Sequence, residues 1–473
     1  MKKHFAFYIS VILIFGCATW LVLRQGKLDF PAITESGPIH LADATEGMLA
    51  QLADHAFNPL SILLLQIIVI VAFSRIFGYI FRMIGQPAVV GEIIAGIIIG
   101  PSVIGHYFPG FSTFIFPEGS LVNLQFLSQI GLAFFMFIVG MELDIAKIRS
   151  KAGDALVVSH ATIIINYFLG VLLAWFLYDS FAPDNISFLS FALFMGIAMS
   201  ITAFPVLARI LQERNLTKTP LGNMAITCAA IDDITAWCLL AVIIGIAKAE
   251  NPAGAILTIA LAVAFVVFTF KVIGPLLNRL QEKNIDGKHS RTVLILAFVV
   301  LFTSAYIAQL IGIHALFGAF LAGTVMPVKL RFKEILTDKI EDVSVVILLP
   351  IFFAFTGLRT QIGLLNEGSL WITCLIVIAI AACGKFGGAT FSSRVMGLSW
   401  RDSLSLGALM NTRGLMELVV LNIGYDLGIL SPEIFAILVL MALATTFMTG
   451  PLLTLIQKFV PPDTNAARRL KSH

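Results

Sequence analysis

Cys228-Ala229-Ala230-Ile231-Asp232-Asp233-Ile234-Thr235-Ala236-Trp237 sets two adjacent aspartates near the middle of an apolar run from about Leu221 to Ala247. About 20 apolar residues suffice for a helix to cross a bilayer, and this run has them. One carboxylate at the centre of such a helix costs about 2.5–3.5 kcal/mol on insertion scales. Two in succession need a reason. Either a basic partner neutralises them to hold helices together, or they bind something charged. Ionisable residues inside a membrane favour the second reading.

The rest of the chain agrees with a bilayer setting. Of 473 residues, 58% are hydrophobic and 12% charged, against about 25% charged in soluble domains. Mean hydropathy is +0.95. These values describe an all-α polytopic membrane protein. The net charge of +3 is spread over short loops, so no clustered basic face exists for nucleic acid. The five cysteines, Cys17, Cys228, Cys238, Cys374 and Cys383, fall in apolar segments without metal-ligand or disulfide spacing.

A first apolar run, Phe5–Leu23, follows Lys2 and Lys3. A charged start before an apolar stretch also marks signal peptides, but an uncleaved helix is the reading adopted. Thirteen further segments follow, at 59–81, 88–107, 121–142, 155–178, 187–211, 221–247, 253–280, 291–311, 313–328, 341–358, 369–391, 403–422 and 433–457. About fourteen transmembrane helices are therefore expected. The division is 1–58 for the extra helix and its loop, 59–459 for the membrane domain and 460–473 for a short tail. Basic residues occupy alternate connections: Arg82, then Lys147/Arg149/Lys151, Arg214/Lys218, Arg279/Lys283/Lys288/Arg291, Lys329/Arg331/Lys333/Lys339 and Arg394/Arg401. Connections 108–120 and 423–432 carry none. The positive-inside rule then puts both termini in the cytoplasm if the first helix is retained, in the inner (plasma) membrane.

Two segments are interrupted. Ser200-Ile201-Thr202-Ala203-Phe204-Pro205 carries a helix-breaking proline beside the Thr202 hydroxyl, and Met410-Asn411-Thr412-Arg413-Gly414 is polar in mid-membrane. Each is the fourth helix of its set, counted from 88–107 and from 313–328. Broken helices in corresponding positions of two halves indicate an inverted-repeat transporter.

Further charges lie in or beside apolar runs. Lys385, flanked by Gly384, Gly387 and Gly388, is expected to pair with Asp232 or Asp233, since an unpaired buried ammonium is costly. Arg413 and Glu417 stand four apart on one helical face, as a structural clamp or a transport element. Glu92 is placed in the first turn of its helix, where the dipole favours an anion. Lys271 is read as snorkelling and Arg359 as marking the outer boundary. Gly96 and Gly100 form a packing face, and His314 stands near a helix start.

Gly85–Gly100-Pro101, Ser200–Arg209, Phe352–Leu358 and Asn411–Leu418 together resemble monovalent cation:proton antiporter family 2, in particular the plant cation/proton exchangers and their bacterial relatives. The resemblance covers about Pro59 to Phe459. It implies the sodium/proton antiporter fold, with a dimerisation domain, a core domain with two unwound crossing helices, and a homodimer. It implies that Asp233 binds cation and proton in turn, a transient metal site for Na⁺ or K⁺. The Asp232–Lys385 combination implies electrogenic exchange. Thr202 and exposed carbonyls are expected to replace part of the ion's water shell, with support from Asn411, Arg413, Glu417 and Glu92. No cofactor is expected. No nucleophile or metal-ligand motif suggests an enzyme. A sodium-coupled solute symporter would use a similar core, and an ion channel would need rings of ligands. The motifs leave sodium, potassium and lithium open.

Overall fold

The structure, a computed structural model, describes residues 55–142, 152–248, 252–283, 290–327, 340, 343–365 and 368–461. The first apolar run Phe5–Leu23, both chain ends and the basic residues Lys147, Arg149, Lys151, Lys288, Lys329, Arg331, Lys333 and Lys339 lie outside them. Contacts divide the chain into two units, Met1–Ser61 and Ile62–His473. Of the first, residues 55–61 are described. The second contains all the other described residues.

The described elements are helices: α1 Pro59–Met83, α2 Ala88–Ile99, α3 Leu121–Glu142, α4 Ala152–Phe181, α5 Phe188–Ser200, α6 Phe204–Glu213, α7 Pro220–Lys248, α8 Pro252–Phe268, α9 Ser290–Ile311, α10 Ala315–Thr324, α11 Leu349–Arg359, α12 Gly368–Val395, α13 Trp400–Met410, α14 Leu415–Asp426 and α15 Pro432–Phe459. Short helical turns join some of them. Twelve spans among the described residues are long and apolar enough to cross a membrane, and α10 is a shorter apolar helix. These thirteen coincide with the thirteen segments expected from residue 59 onward.

Every backbone polar group must be satisfied within the segment in a bilayer, which dictates helices; their neighbours dictate the packing. Two groups emerge. Helices α4 to α7 pack with α12 to α15, while α2 and α3 pack with α9, α10 and α11. Ile70 of α1 joins Ile99, Leu124, Ile351, Ala354 and Phe355 in a core on the second group. Helix α8 packs on both α7 and α9, linking the groups. The interrupted spans lie deepest: 94% of the apolar window in 400–426 is buried, against 11% in 253–279.

Close packing explains the small-residue face of α2. A Cβ on Gly96 would sit 2.6 Å from the Ala354 Cα of α11, so this glycine allows backbones to touch. One sequence placement needs correction. Pro87 caps α2 with extended backbone, so the helix begins at Ala88 and no acidic residue stands in its first turn. Glu92 is the fifth residue, beyond the strongest influence of the helix end. It lies instead towards Gly78 of α1, in the field of Arg75, Arg209 and Arg82. Lys271 is exposed, as snorkelling requires, within a π turn at Thr269–Ile273.

Candidate functional site

Two breaks meet at the centre of the α4–α7 and α12–α15 group. Ile201–Ala203 are extended between α5 and α6. Pro205 falls in the first turn of α6, where its missing N–H has no intrahelical partner to lose. Residues 411–414 separate α13 from α14. Gly414 there adopts φ 155° and ψ −127°, a conformation essentially restricted to glycine. The breaks cross: the Ala203 amide donates to the Thr412 carbonyl at 3.1 Å, and the Thr202 hydroxyl donates to the Met410 carbonyl at 3.1 Å.

Helix α15 supplies what the second break lacks. The Thr446 hydroxyl accepts from the Arg413 amide at 3.1 Å and donates to the Arg413 carbonyl at 2.7 Å. It thus stands in for a neighbouring peptide group. Thr412 donates to Thr449 at 3.3 Å, and the Asn411 amide donates to the Thr445 carbonyl at 3.4 Å. Asn411 therefore belongs to the anchoring of the break.

Buried charges sit at the half-helix ends of complementary sign. Arg413 donates to the Ala198 and Met199 carbonyls at 3.0 and 2.6 Å, capping the negative C-terminal end of α5. Glu417, in the first turn of α14, pairs with Arg413 at 3.2 Å. Asp233 faces the α6 N-terminus at the Phe204 amide. Lys385 donates to Thr202 at 2.7 Å, whose own proton goes to the last carbonyl of α13.

The aspartates divide their tasks. Lys385 of α12 pairs with Asp232 at 2.9 Å, both side chains fully buried. The other Asp232 oxygen accepts from the Ser159 hydroxyl of α4. Neither Asp233 oxygen is held by a side-chain donor, although the side chain is fully buried; what faces it is the Phe204 amide. With all three ionised, Asp232, Asp233 and Lys385 carry net charge −1. One added monovalent cation or one proton brings the cluster to zero.

Sequence reasoning brought Asp232, Asp233, Thr202 and Lys385 to one place, and the structure does likewise. Arg413, Glu417 and Asn411 lie at the adjoining break, whereas Glu92 sits at the α1–α2 contact. Ser159 and Thr446 were not singled out. The signal for Ser159 is a polar series Ser159, Thr162, Asn166 along one face of α4, fully buried.

Two cavities approach from opposite ends of α3. One of about 660 Å³ is lined by Glu142, Arg209, Gln212 and Glu213, with Pro205, Val206 and Leu415 beside the breaks. The other, about 540 Å³, is lined by Gln125, Lys248, His314 and Asp426. His314 caps α10, accepting from the Leu316 amide at 3.4 Å.

Residues 68–458 match the family model described as sodium/hydrogen exchanger, transmembrane. The chain is 43% identical over 402 residues to the Na(+)/H(+) antiporter NhaS4 of Synechocystis, covering 84% of this chain and 98% of that protein. It is 40% identical to cation/H(+) antiporter 19 of Arabidopsis thaliana and 35% to K(+)/H(+) antiporter 1 of Saccharomyces cerevisiae, spanning about half the length of each. Among solved structures, the antiporter MjNhaP1 of Methanocaldococcus jannaschii superposes with a TM-score of 0.61 at 16% identity, covering 84% of this chain and 98% of that one; this likeness concerns the fold. By these matches the chain belongs to the sodium/hydrogen exchanger family.

Proposed function

We propose that the protein exchanges a monovalent cation, Na⁺ or K⁺, for protons across the membrane by alternating access. The observation that carries this reading is the Asp233 carboxylate, buried, without a side-chain partner and next to an Asp232–Lys385 pair. A site of net charge −1 becomes neutral with either a cation or a proton, so the two compete for one carboxylate. A neutral core crosses the low-dielectric barrier; a charged one is held back by desolvation. The names of the relatives, sodium/proton, potassium/proton and cation/proton antiporters, agree with such an exchange.

In this reading Asp232 stays ionised with Lys385, and one cation against one proton at Asp233 moves no net charge; the electrogenic exchange expected from the resemblance would need a further proton per cycle. Thr202 supplies the cation with an oxygen ligand once Lys385 turns aside. Arg413, Glu417 and Asn411 keep the crossing rigid. The core α4–α7 with α12–α15 moves against the remaining helices of the 59–459 membrane domain. In the chain, 1–58 precede that domain and 460–473 follow it. The protein works as a homodimer in the inner membrane, both termini cytoplasmic, without a cofactor.

The test is dissipation of an imposed pH gradient in everted vesicles on adding Na⁺ or K⁺. Wild type collapses the gradient with at least one cation, and Asp233→Asn, close in size, abolishes the response while inserting normally. An unaltered response in Asp233→Asn overturns the assignment. Requirement for an organic solute would instead favour a symporter.

A further inference from the structure

Helix α15 carries a proline inside its run, Pro451. Proline has no N–H to offer the carbonyl four residues earlier, and its ring pushes against that carbonyl. In α15 the carbonyl that loses its usual donor is Phe447. The Gln86 side-chain amide donates to it at 3.3 Å instead.

Gln86 reaches α15 from a fixed corner. Helix α1 ends with Gly85 at φ 74°. The Gln86 and Gly85 amides donate back to the Phe81 and Arg82 carbonyls at 2.9 and 3.1 Å, the pattern that closes a helix on a left-handed glycine. Pro87 then caps α2, and Gln86 itself is buried. This corner belongs with α2, α3 and α9–α11, whereas α15 belongs with the helices of the breaks. The bond therefore crosses the boundary between the two groups.

The same stretch of α15 supports the ion site. Thr445, Thr446 and Thr449, which anchor residues 411–413 of the second break, lie within the two turns before Pro451. Arg214, at the end of α6, donates to the Gly450 carbonyl and the Thr454 hydroxyl at 3.3 and 3.1 Å. Both breaks are thus tied to α15 beside the proline.

The position of the bond sets it apart from a gate. It stands at the end of the larger cavity, which Val89 of α2 and Glu213 of α6 line, and so joins the groups where they stand apart. Breaking it would remove the donor that stands in for the proline's, in a span that offers no water. The Arg359–Asp426 pair, at the end of the smaller cavity, is partly exposed and free of that penalty. A helix also bends most readily where a proline has already removed a bond.

We propose that Gln86 is a positioning residue for the conformational step of exchange: its bond to the Phe447 carbonyl beside Pro451 is the pivot on which the core turns against the other group, kept while the two cavities open in alternation. This rests on the proposed exchange of cation for proton.

The experiment uses a cysteine-free chain in everted vesicles with one of two cysteine pairs. The first is Gln86→Cys with Gly450→Cys; the Cβ position of Gly450 lies 3.9 Å from the Gln86 amide nitrogen. The second is Gln125→Cys with Asp426→Cys, across the other end. Each pair is joined by a short bifunctional thiosulfonate reagent, and cation-dependent gradient dissipation is measured before joining, after it and after reduction. Joining the first pair is expected to keep at least about half of the rate, whereas joining the second lowers it at least about tenfold until reduction, as blocking a conformational step does. Gln86→Met, similar in size but without a donor, is expected to lower the maximal rate about threefold with the cation KM unmoved. In Pro451→Ala, where residue 451 can again donate to Phe447, the same change has little effect. Loss of exchange on joining the first pair, recovered on reduction, overturns the inference, and so does a first pair that cannot be joined. Equal retention in both pairs overturns it too, because no pivot is then distinguished. The cysteine pairs carry the test if Gln86→Met fails to insert. If wild type shows no cation-dependent dissipation, the exchange reading itself falls and the inference with it.

Discussion

Asp232 and Asp233 differ by one position and yet occupy opposite electrostatic situations. Asp232 has a buried ammonium and a hydroxyl; Asp233 has neither. The presence of a charge cluster was legible in the sequence, because ionised side chains in apolar runs are costly and must find each other. The Lys385 pairing followed from the same cost. Ser159 was not legible: a serine in an apolar helix ordinarily satisfies itself on its own backbone, and its bond to Asp232 depends on the packing of α4 on α7. A double-mutant cycle tests the pair. Breaking a buried ion pair from one side costs about 3–5 kcal/mol, whereas replacing both partners is often close to neutral. Lys385→Met in detergent should thus melt below both wild type and the Asp232→Asn/Lys385→Met double variant. A double variant that melts lower still would show that the two residues stabilise the protein separately.

At the scale of elements, proline and glycine announced where two helices would stop. They could not announce that the stops cross, because the bonds from Ala203 to Thr412 and from Thr202 to Met410 join residues about 210 positions apart. The half-helix ends gain their compensation the same way: Arg413, read as partner to Glu417, also caps α5 from the other break. Glu92 illustrates the reverse, since its placement depended on one turn of helix boundary that Pro87 decides. Gly414 is where the second break is most constrained. A Cβ there would meet the Val206 side chain at 2.9 Å, in a backbone conformation that L residues rarely adopt. Gly414→Ala is expected to cost about 1–3 kcal/mol. It should lower both the melting temperature and the exchange rate, because Val206 lies in the first turn of α6, the helix whose N-terminus faces Asp233. Gly428, also at positive φ but with open space around its Cβ position, serves as control: its alanine variant keeps exchange near wild type while carrying only backbone strain.

At the scale of the molecule, the thirteen helical segments from residue 59 onward were legible from hydropathy, but the sorting into two groups was not, since apolar helices of similar length look alike until their partners are known. The boundary between the groups is closed by polar contacts at one end. Arg359 of α11 donates to Asp426 and Asn422 of α14 at 2.7 and 3.2 Å, over the Phe355 ring, and Asn422 donates to Thr356 at 2.8 Å. Gln125 of α3 donates to Asp426 at 3.4 Å. Near the other end, the 660 Å³ cavity runs between the groups to Val206 and Leu415. An exchanger that opens its two ends alternately must break the first set of contacts when the second space closes. A partly exposed ion pair contributes about 1 kcal/mol at most, so Asp426→Asn should shift the balance up to about fivefold rather than lock it. The measurement is labelling by a membrane-impermeant thiol reagent at a cysteine placed at Gln129, which lines the smaller cavity, in a chain otherwise free of cysteine. Asp426→Asn is expected to speed that labelling two- to fivefold, and to slow labelling of a cysteine at Gln212 in the larger cavity. Unchanged rates at both positions would mean that these contacts fasten the helices without governing which end is open. The paired readout distinguishes that from general loosening, which would speed both.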